Sequence, residues 1–395
     1  MTLAAAIESL AGAAAGSATT SIARVEVLRD FGSAETVWRR LEQSGLATPY
    51  QRFDFQSAWQ RHIGEAEGLQ PFIVIAYDSA GGPLLLMPLV VKQRYGARVA
   101  QFLGGKHVTF NMPLWQRDFA ASAGKTDMDA LLQGIRQQAN GIDVLALERQ
   151  PLRWTGIVNP ISQLPYQVSV NDCPVLKMTP GGAPTDRVSN SFRKRLKGKE
   201  RKYETLPGFR YAVATTDADV KRVLDMFFAI KPLRMAEQKL PNVFDEPGVE
   251  NFIRAACMAP SGAGHAIDIH ALECDEEVIA MFAGVADGDR FSMMFNTYTM
   301  SANAKYSPGL ILMRNIIDFY AARGITALDL GIGSDDYKRQ FCKDDEPIFD
   351  SFVPLTARGK FAAAALANMA RAKRLVKQTP ALMSLAHKLR GALQR

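Results

Sequence analysis

The stretch "YSPGLILMRNIIDFYAARGITALDLGIG", Tyr306 to Gly333, decides the architecture. Ser307 suits an N-cap, Pro308 the first helical position, and Gly309 leaves the backbone open to close approach. The helix that follows is apolar nearly all round, and its polar face is limited to Arg314, Asn315 and Asp318. That pattern marks a core helix. It leads into a strand, "ITALDLGIG", that ends in glycines. A helix returning the chain to such a strand is a unit of an α/β sheet, whose ligands collect at the carboxyl ends of strands. The amides and dipole at the start of the helix favour an anion there.

Working outward, "HAIDIHALEC", "VIAMFAGVA" and "RFSMMFNTYT" alternate and turn at "DEE" and "DGD", which reads as an antiparallel meander. Before it, "FRYAVATT" reads as a strand, and "DADVKRVLDMFFAIKPLRMAEQ" as a helix broken at Pro232. The order β-α-α-β-β-β-α-β-α implies a mixed sheet with helices on its faces. The first half repeats much of this order, with two helices, the meander "PFIVIAYDSAGGPLLLMPLVVKQRYGARVAQFLGG", a helix over Met128–Gln138 and the strand "IDVLALER". We expect a leader at 1–22, two tandem α/β domains at 23–184 and 185–356, and a basic helical tail at 357–395.

The net charge of +7 is unevenly spread. "RKRLKGKERK", Arg193–Lys202, carries +6, the tail from Ala357 carries +9, and the remainder carries −8. The basic character therefore belongs to two places. A nucleic-acid groove would interleave aromatics with the basic residues, but Phe192 and Tyr203 only flank the run, so nucleic acid is an unexpected partner. Four scattered cysteines without a CxxC pair suit a reduced compartment, and five histidines show no ligand spacing, so no metal is expected. Residues 1–22 lack a signal peptide's basic start, and no apolar run reaches the roughly 18 residues of a membrane span. We expect a cytoplasmic protein. In the tail, Phe361, Ala365, Met369, Ala372 and Leu375 or Val376 share one helical face, and after Pro380 a leucine stripe resumes. A basic amphipathic helix of this kind suits peripheral contact with the inner face of a membrane.

Past the glycine-ended strand, "SDDYKRQF" places Tyr337 and Lys338 in a first helical turn beside the opening. A tyrosine can protonate a leaving group, and a lysine can hold a phosphate or an oxyanion. Asp329 lies inside the strand, where a buried carboxylate needs a partner. Asp329, Asp335 and Asp336 are all candidates for a base.

"SFRKRLKGKERKYE", "YSPGLILMRNIIDFYAARG" and "LDLGIGSDDYKRQF" together resemble the Gcn5-related N-acetyltransferase (GNAT) superfamily. More narrowly they resemble its CelD-type (BioF2-like) members of exopolysaccharide and cellulose biosynthesis, relatives of the Fem aminoacyltransferases. "TPYQRFDFQSAW", "PLLLMPLV" and "FLGG" resemble that family's degenerate N-terminal copy, so the likeness spans roughly residues 23–356. It implies two tandem GNAT-like domains and an acyltransferase, with acetyl-CoA or another acyl-CoA as donor. The pyrophosphate of coenzyme A would meet Tyr306, Ser307, Pro308, Gly309 and Leu310. Tyr337 would protonate the thiolate, and Tyr337–Lys338 resembles the Phe-Lys pair of the Fem proteins. The usual Gln/Arg-x-x-Gly-x-Gly/Ala loop is replaced by "NAKYSPGL", which leaves an aminoacyl-tRNA or other acyl donor open. Arg193, Arg195, Lys197, Lys231, Arg234 and Asp336 are the expected contacts to an anionic small molecule or lipid-linked sugar.

Overall fold

A computed structural model describes residues 20–261, 264–333 and 335–379. The first half contains strand β1 (Arg24–Leu28), helix α1 (Phe31–Ser44), the meander β2 (Gln70–Tyr77), β3 (Pro83–Arg94) and β4 (Ala97–Phe102), helix α2 (Lys125–Gln138) and strand β5 (Val144–Pro151). Strand β6 (Pro174–Lys177) and the basic helix α3 (Asn190–Glu200) lead into the second half. There β7 (Arg210–Val213), α4 (Asp217–Glu237) and α5 (Val249–Met258) precede the meander β8 (Asp268–Glu273), β9 (Val278–Ala286) and β10 (Arg290–Tyr298). Helix α6 (Pro308–Ala321) then returns to β11 (Ala327–Asp329), followed by β12 (Ile348–Pro354) and helix α7 (Ala357–Gln378).

The strands form two large mixed sheets. The first runs β1-β2-β3-β4-β5-β12 and the second β7-β8-β9-β10-β11-β6, each continued by a short edge strand. Each has one parallel pair, β4 with β5 and β10 with β11, reached by a helical crossover from the end of the meander. The two halves thus share the expected element order, and the fold is mixed α/β.

The expected domain limits do not match the sheets. Strand β6 precedes the junction expected near Pro184, yet it pairs antiparallel with β11 in the second sheet. Strand β12 pairs antiparallel with β5 in the first. Each half therefore closes its sheet with a strand from beyond its own segment.

Helix α4 continues through Pro232 instead of breaking. Proline removes one amide from the ladder, but it sits near the helix end, where neighbouring side chains are anchored. Lys231 Nζ donates to the Asn296 carbonyl at 3.0 Å, and the Arg234 guanidinium lies 3.5 Å from the centre of the Tyr298 ring.

Of the leader expected over 1–22, only Thr20–Ile22 fall among the described residues. There the Thr20 hydroxyl and Ser21 amide donate to Asp127, and Ile22 is buried. Helix α7 docks Gly359, Ala363, Leu366 and Ala370 on the first sheet, and Gly359 is a site of close approach. A Cβ there would lie 1.9 Å from the Asp143 carbonyl. The stripe expected to form the tail's apolar face points away from the sheet, with Phe361 82% and Leu375 61% exposed. The leucine repeat after Pro380 lies outside the described residues.

Candidate active site

The site lies where β10 and β11 part. They pair only from Arg290 to Ser292 and from Ala327 to Asp329. Beyond that, β10 carries a bulge. Ala283 faces Phe295 while the next residue, Gly284, faces Met293, so Met294 is the extra residue. A bulge bends its strand and re-aims its side chains. Two cavities occupy the opening.

The first cavity, of about 320 Å³, is lined by Ser307–Leu310 at the start of α6, by Phe282 and Tyr298 of the meander, and by Asn296 and Tyr337. The second, of about 440 Å³, is lined by Met293–Asn296, Gly331, Lys231, Tyr337 and Lys338, and by Lys106–Thr109 from the first half. Asn296 and Tyr337 belong to both cavities. Both volumes fall in the range of small-molecule sites.

Ser307 sits at the N-cap position but does not cap the helix with its side chain. A capping side chain normally hangs from an extended backbone, whereas Ser307 is left-handed (φ 62°). Its hydroxyl instead accepts from Lys199 Nζ at 2.7 Å. Lys199 thereby brings a cation to the start of α6, where Pro308 supplies no amide. Lys199 was missed among the basic residues of α3, although a helical signal existed. The packed positions Phe192, Leu196 and Tyr203 share their face with position 199.

The other basic residues of α3 are used differently. Arg193 donates to both carboxylate oxygens of Asp318 at 3.0 and 2.6 Å, Arg195 lies over the Phe192 ring, and Lys197 is exposed. None lines either cavity. Tyr306 packs edge-on against Tyr203 and lines neither cavity. Arg234 lies over the Tyr298 ring and lines neither cavity, whereas Lys231 is on the second cavity wall. Burial lowers the Lys231 pKa, helped by the charge of Arg234.

Tyr337 is half-buried at the meeting of the cavities. Burial pushes its phenol well above the ordinary value, reinforced by the Asp335 charge and opposed by a hydrogen bond with the Asn296 side chain. It therefore holds its proton at neutral pH and can donate it. Lys338 is buried, and its Nζ donates to the carbonyls of Gly331 and Ile332 at 3.2 and 3.0 Å. It fixes the glycine-ended turn to the short helix carrying Tyr337.

The three candidate carboxylates line neither cavity. Asp335 and Asp336 are exposed. Asp329 is fully buried, accepting from the Ser292 hydroxyl at 2.5 Å and the Gly331 amide at 3.1 Å, with Arg290 at 3.7 Å. Burial raises its pKa from 3.8 to about 6, although Arg290 and the two hydrogen bonds pull it down. Such a carboxyl holds its proton more tightly folded than unfolded, so its contribution to stability is greatest at low pH and falls as pH rises from about 4 to about 6. Relative to Asp329→Asn, the wild-type unfolding free energy should fall by about 2 kcal/mol between pH 4 and pH 7 in denaturant titrations. A difference independent of pH would contradict the buried, proton-binding role.

Residues 190–339 match the family described as Acetyltransferase (GNAT) domain. No curated protein matches the sequence. Among solved structures, the chain is similar to the C-terminal domain (DUF2156) of a protein described as a lysylphosphatidylglycerol synthetase from Agrobacterium fabrum. The identity is 10% over 87% of this chain and 96% of that one, with a TM-score of 0.51. It is also similar to a conserved protein from Bacteroides thetaiotaomicron, at 9% identity over 84% and 100% of the two chains and a TM-score of 0.50. At these identities the likeness concerns the fold alone. Residues 190–339 are thus similar to a GNAT acetyltransferase domain, and the two-sheet fold around them is shared with these solved structures.

Proposed function

We propose that the protein is an acyltransferase that uses an acyl-CoA, foremost acetyl-CoA, to acylate an amine or hydroxyl of an anionic precursor in cell-envelope or exopolysaccharide synthesis. The observation that carries this reading is the sharing of Tyr337 and Asn296 by two adjoining cavities. The cavity at the start of α6 would take the donor, with Lys199 and the first-turn amides facing its phosphates. The cavity between β10 and β11 would take the acceptor. A thioester is already activated, so the protein must mainly position the acceptor and protonate the departing sulfur. Tyr337 is placed for that proton transfer, and Lys338 holds the turn on which it depends.

A second reading keeps the fold and changes the donor to an aminoacyl-tRNA. It is favoured by the Tyr337–Lys338 pair and by Pro308, which takes one amide from the phosphate-facing turn. A thermal-shift screen of acetyl-CoA, longer acyl-CoAs and UDP-amino sugars separates the readings. The first predicts a rise in melting temperature with an acyl-CoA that Lys199→Ala diminishes. No rise with any acyl-CoA would reject it in favour of the second. The proposed setting is the cytoplasm, with peripheral contact to the membrane's inner face. The exposed Phe361 and Leu375 of α7, flanked by Arg358, Lys360, Arg371 and Lys373, support that contact.

A further inference from the structure

The first sheet opens at the same topological place as the second. Strands β4 and β5 pair in parallel only from Val99 to Gln101 and from Val144 to Ala146. Beyond that point lies a cavity of about 570 Å³, lined by residues that include Gln101, Glu148 and Arg149. Its wall also includes Lys106, His107 and Ile332, which line the proposed acceptor cavity as well. The two spaces are neighbours across a shared wall.

Arg149 gives this cavity its character. Its guanidinium donates to the Val108 carbonyl at 2.8 Å and to the Gly105 carbonyl. It makes no ion pair with a carboxylate among the described residues. Two carbonyl dipoles hold it in place, and three of its five N–H donors remain. The backbone at Arg149 is left-handed (φ 60°), and its own amide donates to Asp350 Oδ1 at 2.7 Å. Residues held in such conformations gather at functional sites. Desolvating a cation is costly, and burial lowers the Arg149 pKa although the Glu148 and Asp350 charges oppose it. A bound anion would remove that cost.

His107 supplies a second unmatched donor. Its Nδ1 accepts from the Trp59 indole N–H at 3.2 Å, which puts the proton on Nε2. Nε2 has no partner among the described residues. Burial and the Lys106 charge hold the ring's pKa near 4, so it is neutral at pH 7.

The other charges on the wall are mostly matched. Lys92 pairs with Glu67, Lys106 with Glu246 and Glu148 with Arg94. Asp350 spends Oδ1 on the Arg149 amide and the Ser169 hydroxyl. Lys377 meets Asn171. Lys373 is exposed on the rim and adds positive charge. Opposite the charges, Trp59, Ile63 and Leu69 offer an apolar wall.

We propose that this cavity is an oxyanion-binding subsite, taking the phosphate or carboxylate group of the acceptor whose reactive end reaches Tyr337. The assignment to the acceptor rests on the acyltransferase reading; the binding of an anion does not.

Calorimetric titration of the full chain at low salt with inorganic pyrophosphate, and separately with malonate, tests it. One probe should bind the wild type, and the preferred probe tells phosphate from carboxylate. Arg149→Gln should weaken that binding at least tenfold and Lys373→Glu several-fold, whereas Lys199→Ala, which removes only anion held at the start of α6, should leave the Arg149-dependent binding unchanged. Failure of both probes to bind would overturn the subsite, as would a loss that follows Lys199→Ala alone, which would place the anion at α6. If Arg149→Gln does not retain the wild-type melting temperature, Lys373→Glu decides, and unchanged affinity in that variant overturns the proposal. The acyl-CoA screen is read independently, so failure of the donor reading and failure of this subsite are distinguishable.

Discussion

Tyr337→Phe should lower turnover by two to three orders of magnitude while leaving donor binding and melting temperature near wild type. The substitution removes one oxygen and keeps the ring, which packs in the second half's core. Tyr337 lines both cavities, and burial keeps its proton in place at neutral pH. General acid catalysis by a positioned side chain contributes about 10²–10⁴-fold. The structural cost is the Asn296 interaction, about 1 kcal/mol. Rapid-mixing single-turnover measurements with a cognate acceptor separate the chemical step from release. A variant within threefold of wild type would remove Tyr337 from the chemistry and leave it a wall residue.

A large effect on stability follows from Gly284→Ala. At the β9–β10 bulge, a Cβ on residue 284 would lie 2.4 Å from the Ser292 carbonyl oxygen and 2.5 Å from the Phe291 ring. The oxygen belongs to the paired strand and cannot turn aside as a flexible side chain could. Relief requires β10 to move away from β9 just before the residues that line the second cavity. Overpacking of this kind costs about 3 kcal/mol, and here it should also reduce turnover by displacing Met293–Asn296. Denaturant unfolding monitored by circular dichroism measures the loss. Gly309→Ala is the contrast, because its Cβ would meet Phe282 at 3.8 Å and Tyr298 at 4.0 Å, ordinary contacts. Equal destabilisation by both changes would contradict the steric account.

The architecture was legible because its signals are local. Alternation marked the meanders, glycines marked the end of β11, and apolar periodicity marked α6. The placement of Tyr337 and of Ser307–Leu310 at one opening could be read from the α/β rule alone. The selection of Lys199 from a run of seven basic residues could not be read from charge; it required the docked face of α3. Asp329 looked reactive because a carboxylate in a strand is unusual, yet Ser292 and the Gly331 amide occupy it. Those partners come from a neighbouring strand and a turn, so the sequence around Asp329 does not announce them. The contribution of Lys106–Thr109 to the second cavity was also hidden, since it depends on how the halves meet. The docked face of α7 was hidden for a related reason. The helix docks through glycine, alanine and one leucine, and small residues give a weak apolar signal while permitting the closest packing.

The exchange of β6 and β12 between the sheets bears on how the chain is made. When β5 leaves the ribosome, its partner β12 lies about 200 residues downstream, and at about 5–20 residues per second that is roughly 10–40 s of synthesis. Through that interval the first sheet presents an unpaired edge, the kind of surface that recruits wrong partners. Its own final strand arrives only after nearly all of the second half has been made. A nascent chain stalled before Ile348 would therefore be a substrate for chaperones rather than a finished first domain beside an unfinished second one.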